Sequence, residues 1–227
     1  MIDPDPPPRP FLPQLVVFDL DGTITRRDTL AGYVFGFAWR RPWRLLGYLG
    51  IVPTLLRFAL RRADHGELKG RLIRAVMGGA SQEEIRIWTA TWVPRLIARG
   101  VFPEALAAIA QHRAAGDRLV LMSATVDLYV PELAAALGFD DHVCSQVAWD
   151  DTRLDGRLSS PNVRDEEKAR QLRRLAAAHS GRRIMGYGNS RPDLPHLRLV
   201  DKAVLVNPSP RLRALASDLP IEFKYWL

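Results

Sequence analysis

The segment Leu15-Val16-Val17-Phe18-Asp19-Leu20-Asp21-Gly22-Thr23 constrains the fold more than any other part of this 227-residue chain. Its apolar run, Leu15 to Phe18, is too short and too β-branched for a helix and reads as a strand buried on both faces. The run stops at two acids one residue apart, followed by Gly and Thr. Asp and Gly are poor strand residues and good turn residues, so both carboxylates belong where the strand ends. In an open α/β sheet, the carboxyl end of a central strand is where ligands bind.

Further apolar runs downstream also end in polar residues. Residues 118–122 read as a second strand, ending in Ser123-Ala124-Thr125. Residues 126–137 read as a helix closed by Gly138, 142–149 as a strand, and 151–158 as a hairpin return. A helix over 165–179 carries Lys168 near its start. A strand over 183–188 leads into the loop Asn189-Ser190-Arg191-Pro192-Asp193. A short helix over 194–199 and a last strand over 203–206 follow. Strands alternating with helices predict an α/β fold with a mostly parallel, doubly wound sheet. Residues 28–100 lack strand alternation and read as an inserted helical domain, in which Ser81-Gln82-Glu83-Glu84 is a capping box. The expected division is a Pro-rich, extended leader over 1–13, a core over 14–27 and 101–227, and the helical insert over 28–100.

The formal net charge of +7 is unevenly spread. Between Arg26 and Arg99 there are 14 Lys and Arg against 5 Asp and Glu, an excess of +9, so the remainder nets −2. The basic residues sit among Trp and Leu rather than on a polar stripe, and no nucleic-acid partner is expected. Trp39, Arg40, Arg41, Trp43 and Arg44 precede an uncharged apolar run over 45–56, with Arg57, Arg61 and Arg62 behind it. That run is short of the roughly 20 residues that span a bilayer and contains Pro53. Trp and Arg flanking it suit an interfacial element on anionic lipid, in competition with an ordinary helix-bundle core bearing a basic solvent face. The single Cys144 fits a reducing compartment and the proline-rich start shows no apolar signal segment, so a cytoplasmic chain is expected, with peripheral contact to the inner membrane face as an option.

Phosphoryl transfer to water needs a nucleophile, a general acid, donors for the phosphoryl oxygens and cations to offset charge. The ordered set Asp19-x-Asp21-x-Thr23, Ser123, Lys168 and Gly188-Asn189-Ser190-Arg191-Pro192-Asp193 resembles the four motifs of the haloacid dehalogenase superfamily, from about residue 16 to residue 206. The helical insert is similar to the type 1 cap of its phosphoserine phosphatase-like branch, subfamily IB. The resemblance implies a Mg²⁺-dependent phosphatase acting on a phosphomonoester. It makes Asp19 the nucleophile that is phosphorylated, and Asp21 the general acid and base. Ser123, Ala124 and Lys168 would surround the phosphoryl group; Asp19, Asp21 through its carbonyl, and Asn189 would hold Mg²⁺. Thr23 and Asp193 would support them.

Two substrate classes follow from the insert. Its composition is similar to that of phosphatidylglycerophosphate phosphatases, which implies a phospholipid monoester. A small soluble ester such as phosphoserine competes, although no acidic and basic pair is evident in the insert to clamp an amino acid. An alternative of another class is a catalytically weak binding protein of the same fold, whose basic cap meets a membrane or another anionic partner. It draws on Asn189, which stands where the family's fourth motif usually has Asp. Asn keeps an amide oxygen for Mg²⁺ but removes a negative charge. Asn189→Asp is therefore expected to lower the Mg²⁺ concentration for half-maximal activity. An unchanged metal titration would remove Asn189 from the ligand set.

Overall fold

The computed structural model describes residues 13–227, so all but the last residue of the proline-rich leader lies outside the described residues. The core is a six-stranded parallel sheet in the order β3-β2-β1-β6-β7-β8. Its strands are β1 (Leu15–Phe18), β2 (Arg118–Val126), β3 (Asp141–Ser145), β6 (Ile184–Gly188), β7 (Lys202–Val206) and β8 (Ile221–Lys224). Every residue of β1 is buried. Val16 and Phe18 join one apolar cluster while Leu15 and Val17 join another, as expected of a strand covered on both faces. Phe18 also stacks on Tyr187 of neighbouring β6, with ring centroids 4.1 Å apart. The chain winds outward from β1 in both directions, so the strand order reverses there. A crevice opens at such a switch point, beyond the carboxyl ends of the strands.

The helical insert follows β1 as α1 (Thr29–Trp39), a 3₁₀ helix (Pro42–Ile51), α2 (Val52–Ala59), α3 (His65–Met77) and α4 (Gln82–Gly100). The capping box at Ser81 and Glu84 is present in both directions. Core helices α5 (Pro103–Ala114), α6 (Val130–Leu137), α7 (Glu166–Ala178), α8 (Leu194–Leu197) and α9 (Pro210–Leu215) complete the chain, together with the antiparallel hairpin of β4 (Val147–Asp150) and β5 (Arg153–Leu158). The hairpin packs against the insert. Gly79 N donates to Leu154 O at 2.8 Å, and Leu154 N to Ala80 O at 2.9 Å. Gly156, at φ +89°, lets β5 approach α3 so closely that a Cβ there would lie 2.6 Å from the Arg74 nitrogen.

Several expected boundaries shift. The strand expected over 142–149 divides at Gln146: β3 pairs with β2, whereas β4 leaves the main sheet to pair with β5. β2 runs on to Val126, with its pairing to β3 irregular between Met122 and Val126, and α6 starts only at Val130. The strand over 203–206 is not the last. β8 adds beyond it at the sheet edge, a four-residue segment of alternating character that depends on pairing with β7.

Gly47 seats the 3₁₀ helix on α3, because a Cβ at this position would stand 2.0 Å from the Ala75 carbonyl oxygen. Gly47→Ala must push the two helices apart and is expected to cost about 1–3 kcal/mol. Urea denaturation would show it, and an unchanged midpoint would contradict this packing.

Candidate active site

The site forms where β1 ends. Asp19 N donates to Tyr187 O at 3.0 Å, which extends the ladder with β6 one residue past the strand. The chain then turns tightly, with the amides of Thr23, Ile24 and Thr25 converging on the Leu20 carbonyl at 3.2, 2.9 and 3.0 Å. Gly22 has φ +82°, and a Cβ on it would lie 2.0 Å from Asn189 Nδ2. Glycine is needed there for both reasons. The close approach sets the Asn189 side chain directly against the Asp19–Thr23 turn.

Lys168 comes from the first turn of α7 and is buried. Its ammonium donates to Asp19 Oδ1 at 2.5 Å and to Asp193 Oδ1 at 2.6 Å. Thr23 Oγ1 donates to the other Asp19 oxygen at 2.9 Å. Asp193 Oδ2 accepts from Asn189 N, Ser190 N and Ser190 Oγ at 3.1, 3.0 and 2.8 Å. Asp21 Oδ1 accepts from Thr29 N, the first amide of α1, at 2.7 Å. Ser123 lies in the irregular end of β2, where its Oγ accepts from Thr125 N at 3.1 Å. That bond leaves its hydroxyl proton for an anion.

These carboxylates differ in proton affinity for stated reasons. Burial pushes Asp19 up to about 6 against the pull of Lys168, with the Asp193 charge adding to the rise. Burial, and then the nearby Asp28, push Asp21 up to about 7. Burial acts on Asp193 too, but Lys168 leads the groups that overcome it and hold Asp193 down at about 2. Burial alone would strip the Lys168 proton; Asp19 and Asp193 instead hold its ammonium above the ordinary lysine range. With one cation shared by two buried acids, Asp193 stays ionised throughout the neutral range and Asp19 loses its proton only at about pH 6.

A cavity of about 290 Å³ brings Asp19, Asp21, Ser123, Ala124, Lys168 and Asp193 together. Thr23 sits buried behind Asp19, and Asn189 stands beside the turn rather than on the cavity wall. The insert closes the cavity with one stripe of α3: His65, Leu68, Lys69 and Leu72. Lys69 Nζ donates to the Ala124 carbonyl, and to Asn162 Oδ1 at 2.8 Å. Burial draws its ammonium down to about 8, against the opposing pull of Asp21. Asp28, the N-cap of α1, lines the same cavity. The insert does therefore bring an acid and a base to the site, a pair not evident in the sequence because Asp28 and Lys69 are far apart along the chain. The signal that could have found Lys69 is a lysine among the apolar positions of an amphipathic helix. Asn162 and Arg164, also on the wall, lie in a loop without a motif.

The donors around Asp19 and Asp21 are oxygens of carboxylates, an amide and the backbone. Among the described residues, no group of three or more His, Cys, Asp or Glu gathers as a metal cluster. This chemistry does not suit a soft transition metal. It suits a small hard cation that keeps much of its water and takes one or two carboxylates.

A model of the haloacid dehalogenase-like hydrolase family matches residues 16–198. Protein CicA of Caulobacter vibrioides is 31% identical over 196 residues, covering 84% of each chain. Phosphoserine phosphatase SerB1 of Mycobacterium tuberculosis is 26% identical over 206 residues, covering 88% of this chain and 67% of that protein. A crystal structure of a Bordetella pertussis protein with unknown function superimposes with a TM-score of 0.78 at 22% identity, covering 93% of this chain and 98% of that one.

Lys168→Met tests the charge arrangement through stability. Breaking a buried pair from one side typically costs about 3–5 kcal/mol, because the remaining charge is uncompensated. Without the ammonium, the folded pKa values of Asp19 and Asp193 lie above the unfolded value of about 4. The folded variant then binds more protons than the unfolded chain, so its stability falls as pH rises from about 4. Chemical denaturation from pH 5 to pH 8 should show a deficit that widens with pH. A deficit that stays constant would mean that packing, not charge, is what Lys168 supplies.

Proposed function

We propose, from the premise that this chain belongs to the haloacid dehalogenase-like hydrolases, that it is a phosphomonoester phosphatase working through an aspartyl-phosphate on Asp19. The observation that carries this reading is the contrast between Asp19 and Asp21. One carboxylate is held by Lys168 and Thr23, while the other faces the same cavity with its proton retained up to about pH 7. An Asp19 oxygen attacks phosphorus, and the bond from phosphorus to the leaving oxygen breaks. Asp21 gives that oxygen its proton, so the leaving group departs as an alcohol. Asp21 then takes a proton from water, whose oxygen attacks the phosphorus and frees Asp19 and inorganic phosphate. Lys168, the Ser123 hydroxyl and the backbone beside Ala124 offset the charge on the phosphoryl oxygens.

The Asp19 carboxylate, the Asp21 carbonyl and the Asn189 amide oxygen are the donors that would hold Mg²⁺. Bound there, the ion supplies further compensation of phosphoryl charge. Asn189 in place of an acid favours, as the second reading, a catalytically weak relative that binds rather than turns over. The Asp19, Asp21, Ser123 and Lys168 arrangement favours the enzyme.

Two features of the cavity bear on substrate. Asp28 and Lys69 suit a small ester carrying both charges, such as phosphoserine, and the likeness to SerB1 supports this class. Leu30, Leu68 and Leu72 on the same wall suit an apolar leaving group, as in a phospholipid monoester. Phosphate release with Mg²⁺ across both classes separates them, and release from none would favour the binding reading.

Asp19→Asn is expected to lower kcat for p-nitrophenyl phosphate by at least about 10³-fold, by analogy with loss of other catalytic nucleophiles. Normal turnover would refute the mechanism. Asp21→Asn should lower kcat/KM, which reports the steps up to departure of the leaving group and not the later attack by water, about 10²–10⁴-fold on an alkyl phosphate and much less on p-nitrophenyl phosphate, whose leaving group needs no proton. An equal loss on both would remove Asp21 as the acid. Activity requires Asp19 ionised and Asp21 protonated. The profile of kcat/KM in pH should therefore rise through about 6 and fall above about 7. A rate that keeps rising beyond pH 9 would contradict these roles.

A further inference from the structure

The outer face of the insert is apolar where a surface in water is expected to be polar. In a 3₁₀ helix side chains three apart eclipse one another, which divides Pro42–Ile51 into three rows. Leu45, Tyr48 and Ile51 turn inward and pack against the core. Arg44 and Gly47 face α3, where Arg44 donates to the Val76 and Gly78 carbonyls at 3.0 Å. The third row, Trp43, Leu46 and Leu49, is 67–70% exposed. α2 continues the row at helical spacing through Val52 and Leu56 to Leu60, the residue that caps it, while Thr54 is buried on its other side. Trp39, where α1 gives way to the 3₁₀ helix, is 68% exposed. A continuous apolar row of this kind marks an interaction surface rather than scattered exposure.

Its charge is of one sign. From Thr29 to Ala63 the chain has six Arg and no Asp or Glu. Arg41 pairs with Glu84 and Arg57 with Glu67, whereas Arg40, Arg61 and Arg62 have no carboxylate partner among the described residues. We propose that this face docks on an anionic phospholipid bilayer, with the apolar row at the boundary between headgroups and acyl chains and the three arginines among lipid phosphates. Trp39 and Trp43 are the residue type that settles at that depth. No described helix is long and apolar enough to cross a membrane, so the segment lies on the bilayer. Charge decides against a second copy of the chain as occupant. Two such faces brought together would oppose unneutralised arginines, whereas an anionic surface neutralises them.

The test is flotation of the full chain with vesicles of phosphatidylcholine alone and of phosphatidylcholine with phosphatidylglycerol, at low and high salt. Binding to the anionic vesicles, weakened by salt and accompanied by a blue shift of tryptophan emission, is the expected result. Leu46→Glu/Leu49→Glu changes exposed side chains outside the catalytic cavity. It should lower vesicle binding at least tenfold while the far-ultraviolet circular dichroism and the urea midpoint stay those of the wild-type chain, which reports that the variant folds. Arg61→Gln/Arg62→Gln should reduce the salt-sensitive part. No binding to anionic vesicles would overturn the proposal, as would undiminished binding of the Glu variant. So would a dimer in sedimentation that the Glu variant dissociates in the absence of lipid. Vesicle binding is measured without substrate, so failure of the phosphatase reading would leave this test intact.

Discussion

A buried ammonium with two carboxylates around it is the interaction on which the rest of the site depends. Lys168, Asp19 and Asp193 come from three separate segments: the start of α7, the end of β1 and the loop after β6. None could be buried charged alone, because desolvation would neutralise it. Together they cross-link the carboxyl ends of the central strands. Because the ammonium is divided between two acids, it cannot compensate both fully. Asp193, with three further donors on its second oxygen, keeps its charge. Asp19 has only Thr23 besides and is left with proton affinity in the range where catalysis at neutral pH operates.

The sheet places this cluster, and glycine allows its closeness. With β1 between β2 and β6, each strand end contributes a polar group to one crevice. Gly22 permits the contact between the first turn and Asn189 that a side chain would block. The insert then completes the cavity from above. Tyr129 helps tie it down: its hydroxyl lies 2.7 Å from Thr29 Oγ1 and 2.6 Å from Thr125 Oγ1, joining the start of α1 to the end of β2. The same helix α3 that closes the cavity along its earlier turns supports the 3₁₀ helix at its C-terminal end, so the cavity wall and the exposed apolar row share one structural element.

What was legible in the sequence was what short-range chemistry controls. An apolar run ending in Asp-x-Asp-Gly, or in Ser-Ala-Thr, announces both a strand and its functional end, and Asp19, Asp21, Ser123 and Lys168 meet in one cavity. The capping box at Ser81 likewise requires only residues three apart. What was not legible depends on distant partners. β8 forms because β7 offers an edge, and β4 leaves the main sheet because β5 and the insert receive it. Lys69 and Asp28 reach the cavity through the packing of α1 and α3 on the core, which no local pattern records. The change from α to 3₁₀ spacing at Pro42 hid which apolar residues of the insert face outward, since the two periods assign them to different sides.

The central claim is that Asp19 becomes covalently phosphorylated. The direct measurement is rapid acid quenching of the enzyme during turnover of a phosphomonoester, followed by borohydride reduction and peptide mapping by mass spectrometry. Reduction converts an aspartyl-phosphate to homoserine and leaves free aspartate unchanged. The account predicts homoserine at position 19 of the wild-type chain, dependent on substrate and absent from Asp19→Asn. Phosphate release with aspartate intact at position 19 throughout turnover would contradict it.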